Sequence, residues 1–426
     1  MTKKFIFFVS LLIAVLIQSC DSNPNVTASK IPMIDLESAV GSGKVFNLSD
    51  VATEIRYIPL ETKKESLISN VNKIYFENDR IYLFTNNNIV IFDSNGKHLL
   101  TFDRRGNGPQ EYNYISSNDV DPHNSNILLH AFCSDQTASI LTYSPEGTLL
   151  SRYLSDSIQN VLNTKFFKLD DNKFIIKYPI SIVDSVEAYA KVFDSSGTVV
   201  KRLYKPKLDY YKKKYDRLIE LSGKNGVMFA LEKNYRVYPL AYRYKEFLRF
   251  FFYENDTIFS IDRSLNYSPV YVVNFGKYKN PEEFDGHYSK GDHISLERGI
   301  CYETDNFILM EFNLRSFAHE PLETVSPNGK GSSKNTKSFA LYDKNSGELT
   351  LMNTPMPAKP GFKEDFESGP PFFPSCLSSE MYAISIIYPD KLKSFAQSNP
   401  VSPKLKSIAN NLNEFDNPVV VLVKMK

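Results

Sequence analysis

The sequence predicts an all-β fold, a six-bladed β-propeller of four-stranded antiparallel blades whose ring is closed by strands near its two ends. Three observations predict this fold: a hairpin pattern recurs every fifty residues or so, aromatic residues are abundant, and one strand near each end lacks a neighbour in the chain. The 31 Phe and 26 Tyr residues favour pleated, half-buried surfaces. Short strands in repeats of this period are typical of propellers, with one blade per repeat.

The repeat is an alternating strand that ends in an aromatic residue, followed by a polar turn that a glycine closes. It occurs four times, with turns at 93–96, 144–147, 194–197 and 343–347. An Asp or Ser at the first turn position accepts a hydrogen bond from the backbone two residues on, and glycine adopts the left-handed conformation. The last gap is three times as long as the others, so two further blades are expected between Gly197 and Gly347.

Candidate strands exist for the remaining blades. The fourth unit holds 247–252 and 257–261, the fifth holds 307–312, and the sixth holds 381–387 and the terminal strand 419–423. The strand 419–423 has no later partner and the alternating segment 54–60 has no earlier one, so pairing them would close the ring and remove an open edge. A β-sandwich pair or a β-solenoid is the alternative fold, although a sandwich has no reason to keep a fifty-residue register.

Other elements interrupt the strands. Amphipathic patterns predict a helix over 208–221 and one or two helical turns within 392–412. The basic run 212–214 is interpreted as the solvated face of the first helix rather than as a binding patch. The Pro-rich stretch 355–374 is predicted to be a long loop over one face.

The first 19 residues have the pattern of an export signal. Two lysines precede an apolar run over 5–17, which is short for a membrane span, and the segment ends at Cys20. This ending resembles a bacterial lipobox, in which the cysteine receives lipid before cleavage, although Gln18 stands where a small residue is usual. The predictions are lipid on Cys20, a tether over 20–43, a propeller over 44–426, and an outer-membrane location on either the periplasmic or the surface face. An uncleaved anchor or a plain signal peptide is the alternative.

Charge and cysteine content exclude some classes of protein. The 50 basic and 49 acidic residues lack the basic excess that phosphate binding needs, so a nucleic-acid partner is not expected. Beyond Cys20 the cysteines are Cys133, Cys301 and Cys376, which allow at most one bridge and leave their redox state open. No CxxC pair occurs, so a structural zinc site is not expected.

Four stretches carry a family resemblance. They are 56–62, 103–112 with its Gly-rich ending in Gly-Pro-Gln-Glu-Tyr, 255–259, and 368–374. In this order they resemble the six-bladed β-propeller lipoproteins of Bacteroidetes, which are distantly similar to NHL-repeat propellers. The resemblance covers nearly the whole mature chain and implies fold and location. It implies no particular activity and no cofactor.

The candidate ligand-binding residues lie in the loop over 104–112. Arg104 and Arg105 stand beside two glycines, and forked guanidinium donors suit a carboxylate, sulfate or phosphate. Glu111 and Tyr112 complete the candidate set. The alternative is a structural blade-to-blade connection in which Glu111 pairs with an arginine.

Metal and catalytic motifs are weak. His287 and His293, with Asp285 and Asp292, are weak metal-ligand candidates, because their spacing is not a standard one and a polar loop is the simpler interpretation. There is no HExxH and no Gly-x-Ser-x-Gly, so no catalytic residue is assigned. The sequence therefore favours a membrane-anchored binding or scaffold module for a glycan, peptide or protein partner. The alternative is a hydrolase or lyase with its site at the central channel.

Overall fold

The structure is a computed structural model in which thirteen stretches of the chain are described. They are residues 31–86, 88–135, 137–154, 165–177, 180–181, 188–204, 236–237, 240–251, 256–279, 293–319, 322–325, 332–357 and 359–426. Residues Met33–Lys426 form one unit, which begins inside the stretch that the sequence assigns to the tether. Cys20 and the helix expected over 208–221 lie outside the described residues.

The chain passes along the outer edges of two blades before the first blade begins. Its elements here are β1 (Met33–Asp35), α1 (Leu36–Ala39), α2 (Leu48–Val51), β2 (Ala52–Pro59) and a 3₁₀ turn (Lys64–Ser66). Strand β1 pairs in parallel with a later strand, β20 (Tyr267–Asn274), as a fifth strand on the edge of the fourth blade. This added strand was not predicted from the sequence.

The first three blades are four-stranded antiparallel sheets. Their strands are β3 (Lys73–Glu77), β4 (Arg80–Phe84), β5 (Ile89–Asp93) and β6 (His98–Phe102); β7 (Tyr114–Val120), β8 (Ile127–Phe132), β9 (Ala138–Tyr143) and β10 (Leu149–Leu154); and β11 (Lys165–Asp170), β12 (Lys173–Lys177), β14 (Ala188–Asp194) and β15 (Val199–Tyr204). A short ladder pairs β13 (Ile180–Ser181) with β16 (Arg236–Val237).

The last three blades follow the same order. Their strands are β17 (Leu240–Tyr244), β18 (Phe247–Phe251), β19 (Thr257–Ile261) and β20; β21 (Ser295–Glu303), β22 (Phe307–Asn313), β25 (Lys337–Asp343) and β26 (Leu349–Met352); and β27 (Cys376–Leu377), β28 (Tyr382–Ile387), β29 (Val419–Met425) and β2. Between them lie 3₁₀ turns (Gly276–Tyr278 and Arg315–Phe317), the hairpin of β23 (Leu322–Val325) and β24 (Ser332–Asn335), and the helices α3 (Pro389–Ser398) and α4 (Pro403–Asn411). Both helices fall within the stretch 392–412 or at its edge, where helical turns were expected.

Buried side chains fill the spaces between blades. In the described part of the chain they form six clusters, and each cluster joins side chains of two neighbouring blades. Phe76 and Val90 of the first blade, for example, pack with Val420 of the last. The first strands of the blades are innermost, since β7 contacts β11, β17 contacts β21, and β27 contacts β3. The predicted six-bladed propeller is therefore confirmed, with a channel lined by first strands.

The last blade closes the ring as the sequence predicts. Strand β2 pairs antiparallel with β29 from Ala52 opposite Met425 to Pro59 opposite Val419. Strand β29 also pairs with β28 on its other side, so it is an interior strand of the sheet. Strands from near the two ends of the described chain thus pair within one blade, and this pairing closes the ring.

The hairpin turns have the predicted chemistry. Asp93 Oδ1 accepts from the backbone N–H of Asn95 and of Lys97, at 2.9 Å each. Asp194 Oδ1 accepts from Ser196 at 2.9 Å and from Thr198 at 3.0 Å in the same way. The closing glycines have positive φ, for example +85° at Gly96, a backbone conformation that residues with a side chain rarely adopt.

Substituting Gly96 with Ala is expected to cost more stability than the same change at Gly347. Both residues have positive φ, +85° and +74°, so each substitution strains the backbone by about 1 kcal/mol. A Cβ on Gly96 would also lie 2.3 Å from the carbonyl oxygen of Pro59 in the closing strand β2, whereas a Cβ on Gly347 meets nothing nearer than 4.0 Å. Urea unfolding should give roughly 3 kcal/mol for Gly96→Ala. Equal losses of unfolding free energy in the two variants would mean that Gly96 does not pack closely against β2.

The three described cysteines are free thiols. Cys133 and Cys301 are buried, and Cys376 is partly buried. Among the described residues, none of the helices has the length and apolar character needed to cross a membrane.

Candidate functional site

The 104–112 loop joins the first blade to the second, and its arginines contact groups of the protein itself. Arg105 donates to Asp103 through Nε at 3.1 Å and Nη2 at 2.8 Å. Arg104 Nη2 donates to the carbonyl of Gly147 at 3.2 Å, and its guanidinium lies 5.8 Å from the ring centroid of Phe102. These contacts fit a connection that packs against the next blade.

The rest of the loop folds around one carboxylate. Glu111 accepts from the backbone N–H of Gly108 at 2.8 Å, and a Cβ on Gly106 would lie 2.0 Å from Glu111 Oε2. Tyr112 is buried, and burial raises its pKa to about 12. The four residues predicted as a ligand site are brought together, but Glu111 contacts a backbone amide rather than an arginine. A ligand role for them stays a prediction.

Charged residues end the innermost strands at the opposite end of the channel. Five blades have one at or near the last position of the first strand: Glu77, Asp119, Lys168, Arg243 and Glu303. The packing between neighbouring blades is apolar, and these charged groups lie where the innermost strands end. The length of β7, about 20 Å, separates this end from the 104–112 loop.

A cavity of about 400 Å³ opens at this end of the channel. We call it the channel mouth, and its walls come from the second, third, fourth and sixth blades. They include Asp121, His123, Lys168, Arg243, Arg263 and Ser379. The cavity is therefore a product of ring closure, since no single blade could form it.

Arg243 is the central cation of the channel mouth. Its Nη2 donates to Asp119 Oδ2 at 3.1 Å and to the carbonyl of Lys168 at 2.8 Å. These are its only hydrogen bonds within the described part of the chain, so three of the five guanidinium N–H groups are not used by the protein. The side chain is 24% exposed. Protein groups therefore fix one side of the guanidinium, and a ligand can reach the other side.

The neighbouring cations are arranged differently. Lys168 Nζ pairs with the buried carboxylate of Asp121, and with Asp171 at 3.0 Å. Exposed Arg263 lies with Nη2 2.9 Å from His123 Nε2. Arg263 therefore contacts a histidine rather than a carboxylate, and it adds a second guanidinium with unused donors to the rim.

Glu77 lies between the first and sixth blades and accepts two hydrogen bonds from Ser379. The backbone N–H donates at 3.0 Å and the hydroxyl at 2.5 Å. Burial raises the pKa of Glu77 to about 7, although these hydrogen bonds act in the opposite direction. A carboxyl that titrates near neutrality beside the channel is a candidate for proton transfer or for pH-dependent stability.

Glu77 should make the protein lose stability as the pH rises from about 5 to 8. The unfolded chain releases this proton near pH 4.5, and the folded protein holds it to about pH 7, so the folded state binds more protons in between. The loss should be on the order of 3 kcal/mol. Glu77→Gln should remove most of this dependence in urea unfolding at pH 5 and pH 8. Exposed Glu348, in the hairpin turn of the fifth blade, changed to Gln, is the control. The same pH slope in Glu77→Gln and wild type would refute the assignment.

The metal candidates are only partly described. His293 is buried just before β21, whereas His287, Asp285 and Asp292 lie outside the described residues. Among the residues that are described, no three His, Cys, Asp or Glu side chains are grouped closely enough to hold a metal ion. The histidine pair stays a prediction.

A second cavity, of about 410 Å³, lies beside the fifth blade. Its walls include the 41–43 segment, Glu311, Lys337 and Phe339. The channel mouth is the stronger candidate, because it combines four blades with cationic groups whose donors the protein leaves unused.

Sequence reasoning missed the residues of the channel mouth. None of them belongs to a recognisable motif in its own repeat, and they are far apart in the chain: Asp121, Lys168, Arg243 and Ser379. The recurrence of a charged residue near the end of each first strand was the available signal. It would have required aligning the repeats on their first strands rather than on their glycine turns.

Comparisons with known proteins agree with the fold. The sequence profile of a family described as a domain of unknown function, DUF4934, matches residues 31–424. The solved structure of an exported protein from Bacteroides fragilis superposes with a TM-score of 0.60 at 18% identity, over 92% of this chain and 99% of that one. This likeness shows the fold and says nothing about a ligand.

Two further structures are less similar. A member of the DUF4221 family from Bacteroides vulgatus gives a TM-score of 0.47 at 14% identity, over 88% of this chain and 97% of that one. A protein of unknown function from Bacteroides caccae gives 0.36 at 10% identity, over 67% and 82%. No curated protein matches the sequence.

Proposed function

The chain belongs to the DUF4934 family, and we propose that it is an exported, lipid-anchored propeller that binds an acidic group at the channel mouth. The group is a carboxylate or sulfate presented by a glycan, peptide or partner protein. The observation that carries the proposal is the geometry of Arg243, whose guanidinium is fixed by Asp119 and the Lys168 carbonyl while three N–H groups face no protein acceptor among the described residues. A preorganised fork of this kind suits a planar or tetrahedral anion.

The surrounding charges support the same ligand chemistry. Arg263 adds donors at the rim, and Lys168 adds a charge that Asp121 and Asp171 hold in position. The cavity, at about 400 Å³, suits one sugar or one or two amino-acid residues rather than a folded domain. A larger partner would therefore insert a single acidic side chain or saccharide unit.

Binding is tested with the full chain in detergent by isothermal titration calorimetry. The probes are trigalacturonate and triglutamate as acidic ligands, with maltotriose as the neutral comparison. Removal of a charged hydrogen-bond partner costs about 1.5–3 kcal/mol, so Arg243→Ala should weaken binding of the acidic probe at least about tenfold. Arg202→Ala, an exposed arginine on the outer strand β15, is the matched control and should bind as wild type does.

The two acidic probes distinguish a glycan from a peptide ligand. Binding of either one, lost in Arg243→Ala and weakened by added salt, supports the proposal. The proposal is wrong if neither acidic probe binds, or if Arg243→Ala and Arg202→Ala bind equally well.

Lipidation of Cys20 is the second part of the proposal. It is supported by the lipobox-like ending of the apolar run and by the exported character of the similar Bacteroides fragilis protein. Cys20→Ala should move the protein from the membrane fraction to the soluble fraction, because acyl chains contribute roughly 0.8 kcal/mol per buried methylene. Ser22→Ala should leave it on the membrane. Full retention of Cys20→Ala in the membrane fraction would favour an uncleaved apolar anchor.

A further inference from the structure

Two lysines line the channel away from the mouth. Lys73 begins β3 of the first blade and Lys165 begins β11 of the third, so both belong to innermost strands. Both side chains are exposed to solvent although their strands face the channel. Water therefore reaches this part of the channel, which we call the lumen.

Neither ammonium group has a carboxylate partner among the described residues. Lys73 Nζ donates to the carbonyl of Asn118 at 3.0 Å and lies 4.4 Å from the ring centroid of Tyr75. The ammonium group of Lys165 makes no hydrogen bond or ion pair in the described part of the chain. The nearby carboxylate of Asp119 is already bonded to Arg243 and to the backbone N–H of Val120, at 3.1 Å each. The lumen thus contrasts with the mouth, where Lys168 is paired with acids.

A third lysine lies beside Lys165. Lys165 is directly opposite Lys177 in the β11–β12 ladder. Residues so placed have Cβ atoms about 5 Å apart, and like charges there repel each other. Burial lowers the pKa of Lys177 to about 7, and the charge of Lys165 lowers it as well. The position of Lys73 inside the channel, where bulk water surrounds it less than at the surface, also lowers its pKa; Asp119 opposes the shift and Lys165 adds to it.

We infer that the lumen binds a small oxyanion of the phosphate or sulfate class between Lys73 and Lys165. Both lysines lie against the same part of β7, because Lys73 Nζ donates to the carbonyl of Asn118 and the backbone N–H of Phe166, next to Lys165, donates to Ser117 Oγ at 3.2 Å. An anion there would accept hydrogen bonds from both ammonium groups and would relieve their mutual repulsion. The carbonyl of Asn118 holds Lys73 on one side and leaves its other N–H groups for the anion. The site lies beside the channel mouth, since Asp119 acts on Lys73 and is bonded to Arg243, but its anion would contact the two lysines rather than Arg243.

Chemical labelling of the full chain tests the site directly. The protein is treated with a trace of acetic anhydride at pH 7.5, and acetylation of each lysine is read by mass spectrometry. Sodium phosphate at 10 mM should lower the labelling rates of Lys73 and Lys165 several-fold relative to sodium chloride of equal ionic strength. Lys391, which is 79% exposed on α3, should be labelled equally in both. Sodium sulfate in a parallel series distinguishes the two oxyanions.

Variants supply an independent measurement. Bound anion should raise the Tm of wild type by roughly 2–4 °C at tenfold excess over Kd. The variants are compared in the Arg243→Ala background, which removes the mouth as a second source of the rise. There Lys73→Gln/Lys165→Gln should fold and should lose the rise, whereas Lys391→Gln should keep it. Unprotected lysines in both oxyanions, or a Tm rise that persists when the double variant is combined with Arg243→Ala, would overturn the inference.

Discussion

Removing residues 419–426 should abolish the folded propeller as a whole. Strand β29 lies between β28 and β2, so its loss separates the N-terminal strand from the last blade and opens the ring. The five residues from Val419 to Val423 are each at most 2% exposed and belong to the clusters on both faces of the blade. Burial of five such side chains contributes about 10 kcal/mol, comparable with the total stability of a typical domain.

The expected result is aggregation or loss of the cooperative thermal transition, measured by circular dichroism and gel filtration. The matched comparison is a chain that lacks residues up to Asp35, which removes the edge strand β1 without opening the ring. That truncation should lower the Tm while the protein stays monomeric and melts in one transition. A chain ending at Pro418 that stays monomeric and melts like the parent would contradict ring closure.

Glu303→Leu is expected to cost on the order of 4 kcal/mol, the largest effect of any single substitution considered. Glu303 is fully buried and joins the fourth and fifth blades. It accepts from Arg249 Nε at 3.0 Å and from Lys344 Nζ at 2.8 Å. The hydroxyls of Tyr242 and Tyr271 donate to it at 3.2 Å each. Replacing it leaves two cations and two hydroxyls without their shared acceptor.

The control for Glu303 lies two residues away. Asp305 is 55% exposed and pairs with Lys245 at 2.8 Å, so Asp305→Asn should cost less than about 1 kcal/mol, as surface pairs do. Glu303→Gln keeps the size and one acceptor and should fall between the two. Urea unfolding gives all three values. Comparable losses for Glu303→Leu and Asp305→Asn would mean that the buried cluster does not hold the blades together.

Much of the fold could be predicted because its determinants are local. The Asp-x-x-Gly turns at Asp93 and Asp194 specify hairpins through a side chain and a glycine in one short segment. The strands over 247–251, 257–261 and 307–313 occur where the fifty-residue spacing requires them. Ring closure was predictable from strands that lacked partners. The parallel pairing of β1 with β20 was not, since three residues carry no periodicity and their partner is more than two hundred residues away.

The channel mouth could not be predicted for the same physical reason. Its residues lie in or just after different strands of four blades, and only the closed ring brings them together. The loop carrying Arg104 and Arg105 was conspicuous because its glycines and arginines are adjacent in sequence. In the structure, its charged groups contact Asp103, Gly147 and Gly108. Arg243 gave no such local signal. The two groups that bind one side of its guanidinium, Asp119 and the carbonyl of Lys168, belong to the second and third blades.

The most direct test of the account is the position of an anion in crystals of the protein. Crystals soaked in selenate, a sulfate analogue with an anomalous signal, would locate bound oxyanions without assumptions about the natural ligand. The account predicts an anomalous peak within hydrogen-bond distance of the Arg243 guanidinium at the channel mouth, and its loss in Arg243→Ala crystals. Selenate found only on the outer surfaces of the blades, in a lattice that leaves the mouth open, would contradict it.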